Sequence, residues 1–233
     1  VLWRILQTSW PAFLALIVPG LLLLGMVMTA ALALGIFVSL MPASPWVGAV
    51  SGAMCLVGAW WGGRTLQQWS QSAWLMRSTR VILKQARGEL PDLELRLDDF
   101  ADRLADALDA SLPQEEILVV GHSSGAMLAA SVVARAIERH QLSGERMGRL
   151  SLLTLGECIP MLSYQPEAQV FRNELARLRR CQGLCWIDFT APPDGCCFAL
   201  IDPTEVCEDR TGNDAATSLT GDAPGPKRLS PRF

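Results

Sequence analysis

Residues 117–125 read Ile-Leu-Val-Val-Gly-His-Ser-Ser-Gly, and the stretch that follows has apolar residues at helical spacing. This is a short apolar strand, a Gly-x-Ser-x-Gly turn and an Ala-rich helix, which is the context a nucleophile elbow requires. Such an elbow sets its serine on a strained strand-to-helix turn, so Ser123 is the candidate nucleophile, with its hydroxyl projecting from the sheet edge. Gly121 and Gly125 have no Cβ and are expected to let strand and helix approach closely. The backbone N–H of Ser124 then faces a developing oxyanion at the positive end of the helix. A plain Gly-Ser turn of an α/β domain, for instance one that holds a phosphate, is the alternative reading.

Upstream, no charged residue lies between Arg4 and Arg64. Residues 11–40 are almost wholly apolar and exceed the ~20 residues that span a bilayer. Residues 41–45 read as a turn, and 46–62 form a second apolar stretch rich in Gly and Ala, which permit close helix packing. Trp10, Trp46, Trp60 and Trp61 fall near the expected ends, where aromatic belts lie. The expectation is a two-helix transmembrane hairpin; its soluble alternative is a buried helical hairpin. A signal peptide fits poorly, since the pattern is two spans long without a basic start and small-residue cleavage site. Arg64, Arg77, Arg80, Lys84 and Arg87 follow the second stretch and the intervening turn has no cation, so both ends are expected in the cytoplasm. That makes a multi-pass inner (cytoplasmic) membrane protein with its soluble domain facing the cytoplasm.

Seven cysteines, an odd number that includes adjacent Cys196 and Cys197, suit reduced thiols better than a disulfide framework. Cys181 and Cys185 are expected to be core thiols, as no second pair with ligand spacing accompanies them. No metal and no cofactor is expected. The net charge of −3 gives no sign of nucleic acid. The chain starts at Val1 and ends Ser-Pro-Arg-Phe233, so it is expected to be a piece trimmed at both ends.

Residues 64–87 are expected to form an amphipathic helix leaving the membrane or lying on it. A second helix opens at Pro91, with Leu93, Leu97, Phe100, Leu104 and Leu108 inward and Asp92, Asp98, Asp99, Asp102 and Asp106 solvated. Ile117–Val120 is the elbow strand and residues 126–140 the elbow helix, ended by Ser143-Gly144. Residues 150–155 read as a buried strand, 166–180 as a helix with Val170, Phe171, Leu175 and Leu178 inward, and 184–189 as a third strand closed by a turn at 190–195. Alternation of strand and helix implies a parallel sheet with flanking helices. The expected domains are a hairpin over 1–63, an α/β domain over 64–207 and a disordered tail over 208–233.

Over residues 115–200 this organisation resembles the α/β-hydrolase superfamily, and more closely the membrane-tethered α/β-hydrolase-like proteins of bacteria. The resemblance implies a partial α/β-hydrolase fold and the chain order nucleophile, acid, base. The acid then belongs to the loop after the second strand beyond the elbow, which is Asp194, with Asp188 as runner-up and Glu157 third. An ordinary Pro-Asp-Gly turn explains Asp194 equally well, and Asp188 has the alternative of a strand residue paired with an arginine. Of the two histidines, His122 holds the elbow's variable position and His140 lies at the far end of its helix, roughly 25 Å from Ser123. Neither is expected to be the base, and no histidine follows Asp194, so the base histidine is expected outside this chain. The family's second oxyanion donor comes from a loop after an early strand, and only the hairpin and two helices precede the elbow strand here.

The expected activity is hydrolysis of an ester or thioester by a membrane-anchored serine hydrolase, with the bilayer and a small-molecule or lipid-like acyl compound as partners. As it stands the chain is expected to be catalytically incompetent although its nucleophile is genuine. An acyltransferase would use the same covalent step. The alternative is a non-catalytic membrane interaction protein that retains a vestigial fold.

Overall fold

Sequence with only Arg4 and Arg64 as charges makes the first helices: α1 (Leu2–Thr8), α2 (Trp10–Leu40) and α3 (Pro45–Ser70). The computed structural model describes residues 1–40, 45–70, 72–191, 194, 196–199, 201–204 and 227–229. Two compact units emerge, Leu14–Thr79 on the one hand and Val1–Phe13 with Arg80–Phe233 on the other.

In the first unit, Gly20–Phe37 is long and apolar enough to cross a membrane, and none of it is buried. Half-buried positions recur along one stripe of α2 at Met26, Ala30, Leu34 and Phe37, and along α3 at Gly48, Gly52 and Cys55. The stripes meet: a Cβ on Gly63 would lie 2.8 Å from Met26 Cε, and one on Gly52 4.0 Å from a Leu34 methyl. α2 and α3 therefore run antiparallel where they touch. Among the described residues α2 alone passes the length and composition test; α3 is diluted by glycine and continues past Gly62 through Arg64 to Ser70. The amphipathic helix expected over 64–87 is divided accordingly, with α4 beginning at Ser72 and ending at Ala86.

The second unit holds the sheet. α5 (Pro91–Ala110) leads to β1 (Ile117–His122), α6 (Ser124–His140) and a short α7 (Gly144–Gly148). Then come β2 (Leu150–Leu155), α8 (Ile159–Ser163), α9 (Gln169–Arg180), β3 (Cys185–Phe189) and β4 (Lys227–Leu229). The strands pair in sequence order and all run parallel. Steps in one direction along a parallel sheet, with right-handed crossovers, place successive helices on the same face. α6 duly packs on β1, β2 and α9. The opposite face carries Leu118, Val120 and Phe189, all exposed. Residues 205–226 and 230–233 of the expected tail lie outside the described residues, but Lys227–Leu229 pairs with β3 and is part of the sheet.

Several side chains turn the other way from expectation. Phe100 and Val170 are exposed, and the inward stripe of α5 is Leu97, Ala101, Leu104, Ala105 and Leu108. α6 offers Ala126, Ala129, Ala130, Ala134 and Ala136 to its neighbours, small residues that let α5 and the sheet come close. The acidic face of α5 is not simply solvated. Asp98 accepts from Arg135 at 3.0 Å, while Arg139 and His140 bind Asp102 at 3.0 and 2.8 Å. The helix α6 ends on Gln141 in the left-handed region, φ 48°, before Ser143-Gly144 is reached.

The contact that fixes strand against helix is at Gly121. A Cβ there would sit 2.6 Å from Ala126 Cα, 2.7 Å from the Gly125 carbonyl oxygen and 2.8 Å from Ala129 Cβ. Gly125 is different, since nothing lies within 4 Å of a Cβ built on it; close approach requires only the first of the two glycines. Gly121→Ala is accordingly expected to destabilise the domain by about 3 kcal/mol, the upper part of the range for overpacking. Gly125→Ala should change stability by no more than about 0.5 kcal/mol. Urea unfolding followed by far-ultraviolet circular dichroism compares the two variants, and equal losses would refute the assignment.

Candidate active site at the strand-to-helix turn

β1 stops at His122 and α6 starts at Ser124, leaving Ser123 alone between them with φ 55° and ψ −124°. A non-glycine residue held there costs of order 1–3 kcal/mol and persists only where its surroundings impose it. Three constraints do so. Ser123 N–H donates to the Leu155 carbonyl at 2.9 Å, extending the β1–β2 pairing by one residue. Ala126 N–H donates to the Ser123 carbonyl at 3.0 Å. The fit at Gly121 then leaves the helix no room to start elsewhere.

The hydroxyl makes no cap to its own helix, although serine at that position usually satisfies an orphan N–H. It stands within hydrogen-bonding reach of the Cys158 thiol instead. Cys158 is buried, and burial pushes its thiol up to about 12, with the Glu157 carboxyl adding to the rise and Ser123 opposing it. At neutral pH it is a thiol and takes no proton from Ser123. Ser124 is exposed at the first position of α6, where its N–H belongs to the helix's positive end.

The carboxylates divide by environment. Asp194 is exposed and closes its own turn, with Oδ1 accepting from Cys196 N–H at 2.9 Å and its N–H donating to the Ala191 carbonyl at 2.9 Å. Its other oxygen lies over the end of β2, 3.5 Å from where a Cβ on Gly156 would stand. Asp188 is buried in β3, and its Oδ1 accepts from Thr154 Oγ1 at 2.6 Å, while Trp186 Nε1 donates to Thr154 at 3.0 Å. Its strand register sets Thr154 of β2 on one side of it and Arg228 of β4 on the other. Glu157 is fully buried at the end of β2. Its Oε2 accepts from Ile159 N–H at 2.6 Å and Oε1 has no hydrogen-bond partner among the described residues. Burial holds the carboxyl well above its usual range, Asp188 and Asp202 add to this, and the Ile159 N–H opposes it.

The histidines are where a base is not. His122 is exposed on the sheet face opposite α6, and His140 is bound to Asp102 at the other end of the seventeen-residue helix. β1 is the outer strand of the described sheet, so no neighbouring strand there brings a second oxyanion donor. Cys158 is the neighbour of Ser123 that the sequence reading passed over. Its signal was position: it follows β2 at the same carboxyl edge of the sheet where the elbow sits, the edge at which parallel sheets place their sites.

Cys181 and Cys185 are not the expected core thiols, since Cys181 is half-buried against Met147 at 3.6 Å and Cys185 is exposed; Cys196 is exposed as well, and Cys197 is buried. Among the described residues no group of three or more His, Cys, Asp or Glu is placed to hold a metal. A cavity of about 230 Å³ lies away from Ser123, between Ser131, Arg135, Leu162, Phe171 and Glu174. There Glu174 accepts from Ser131 at 2.6 Å and from Arg135 at 2.8 Å. No protein-family model matches this chain, and neither does any curated protein or solved structure.

The raised carboxyl of Glu157 has a consequence for stability. Its folded-state value lies above the ordinary 4.5, so its contribution is fully present below that pH and is lost as pH rises through the folded-state value. Glu157→Gln keeps the acceptor for Ile159 and cannot ionise. The variant should match the parent near pH 4 and exceed it by about 1–3 kcal/mol at alkaline pH, the scale of an unsatisfied buried polar group. Thermal melts at the two pH values check this, and a variant less stable at alkaline pH would mean that Glu157 is ionised and paired.

Proposed function

We propose that this chain is a membrane-anchored serine hydrolase of α/β-hydrolase type that cleaves an ester or thioester through Ser123. The observation that carries the reading is the conformation of Ser123, φ 55° and ψ −124°, between a parallel strand and a helix N-terminus, with its hydroxyl unused as a cap. In the reaction, Ser123 Oγ bonds to the acyl carbon and gives its proton to a base. The leaving alcohol or thiol departs with a proton, and water then releases the acid from the acyl-enzyme. The Ser124 N–H supports the oxyanion. Asp194 is the acid that orients the base, with buried Asp188 and Glu157 behind it. The base is a histidine that neither His122 nor His140 supplies.

The anchor reading extends to both apolar helices. Exposed Leu21, Leu24, Val27, Leu32 and Ile36 on α2 face lipid, and the seam at Gly52 and Gly63 lets α3 cross beside it. Arg64 stacks over Trp60 with 5.1 Å to the ring centroid, a cation and an aromatic ring suited to a membrane interface. With no cation between Arg4 and Arg64, both ends lie in the cytoplasm at the inner membrane. A lipid-like acyl substrate suits that location. A reporter fused after residue 90 that was active only outside the cytoplasm would reverse the orientation.

One observation favours a second reading, a non-catalytic membrane interaction protein: the hydroxyl of Ser123 faces a protonated thiol and not a base. Fluorophosphonate labelling separates the two. On the hydrolase reading the chain labels slowly, Ser123→Ala abolishes labelling, and added imidazole speeds it by about one order of magnitude, part of the 10²–10⁴ a positioned base contributes. Labelling that ignores both imidazole and Ser123→Ala would leave only the vestigial fold.

A further inference from the structure

We propose that the outward face of α4, formed by Arg80, Val81 and Lys84 with Arg87 just beyond its end, docks on the anionic headgroups of the bilayer. The proposal rests on the reading of α2 as a membrane anchor and adds a lipid preference to it. Residues 80, 84 and 87 are spaced i, i+4, i+7 and lie on one helical face. On this stretch Arg80, Val81 and Arg87 are exposed and Lys84 is half-buried, while Ile82 and Ala86 on the opposite side are buried in the domain. Val81, 49% exposed, is an apolar side chain between cations, the arrangement by which an interfacial helix seats its apolar edge below a charged headgroup layer.

Charge complementarity names the occupant. No acidic residue occurs anywhere before Glu89, whereas Arg64, Arg77, Arg80, Lys84 and Arg87 all precede it. The nearest carboxylate, Glu89, lies 3.9 Å from Arg87 with both side chains half-exposed, a surface pair of little strength. The acidic helix that follows commits Glu94, Asp98 and Asp102 to Arg135 and Arg139 of α6. A cationic face thus stands apart in a chain of net charge −3. Three cations near an anionic leaflet strengthen attachment by about a hundredfold.

The test places the full chain in nanodiscs of phosphatidylcholine, alone or mixed with phosphatidylglycerol, and follows amide hydrogen exchange over residues 80–87. Exchange should slow by about tenfold in anionic discs, and the difference should shrink as ionic strength rises. The variant carrying Arg80→Glu, Lys84→Glu and Arg87→Glu should exchange alike in both discs, and its circular dichroism should match the parent's. Equal exchange of the parent chain in both discs, with the chain retained in them, would overturn the docking face and leave the anchor standing. A slowing that survives the triple substitution would overturn it too. A chain not retained in either disc would remove the anchor, and the docking face with it.

Discussion

The absence of a side chain at Gly121 is the constraint on which the rest of the second unit depends. It brings Ala126 and Ala129 onto the strand at distances no Cβ tolerates. With the helix that close, the chain must reverse within one residue, and Ser123 takes the strained conformation that results. The same closeness makes α6 the hub of the layer, packed on β1, β2, α5, α8 and α9. Strain at Ser123 is therefore a product of packing and is sustained by packing. Its cost of order 1–3 kcal/mol is offset by what the alanine face of α6 buries on both sides.

The polar interior follows from the same arrangement. With the strands parallel and α6 packed across β1 and β2, the carboxyl ends of β1, β2 and β3 lie at one edge, and so do the acids that follow them. Asp188 accepts from Thr154, which itself accepts from Trp186, and Glu157 accepts from one backbone N–H. Burial and the charge of Asp188 together hold the Glu157 carboxyl well above its usual range. The helical side handles its charges differently. One guanidinium, Arg135, meets Glu94, Asp98 and Glu174; burial opposes its charge and the three carboxylates hold it protonated. Network and elbow sit about three turns apart on α6, so its packing positions both.

The parts of this fold written in local pattern were legible. Strand, turn and helix from Ile117 to His140 were read from β-branched runs, glycine placement and alanine spacing, and the parallel order from alternation alone. What escaped depends on partners distant in sequence. Phe100 and Val170 fit an apolar stripe by periodicity but face solvent, since α5 turns Ala101 and Ala105 inward and α9 turns Phe171, Glu174 and Leu175 inward. Asp98 and Asp102 look like solvated charge until α6 brings Arg135 and Arg139 to them. β4 hides in a polar stretch because an edge strand of three residues needs little apolar sequence. Cys158 was invisible as a neighbour of Ser123, since the contact is made only when β2 is in register with β1.

Two costs converge on Ser123, and their coincidence bears on function. A positive-φ turn without glycine is strained, and a helix start without its cap forgoes about 1 kcal/mol that serine ordinarily supplies. A glycine at this position would relieve the first, and a hydroxyl turned toward the helix would recover the second. The chain does neither. It keeps a hydroxyl where it contributes nothing to the helix and aims it at the carboxyl edge of the sheet. For a scaffold that only binds, both costs have no return. For acyl transfer they are the geometry itself, since a nucleophile must leave its own backbone unbonded to reach a substrate.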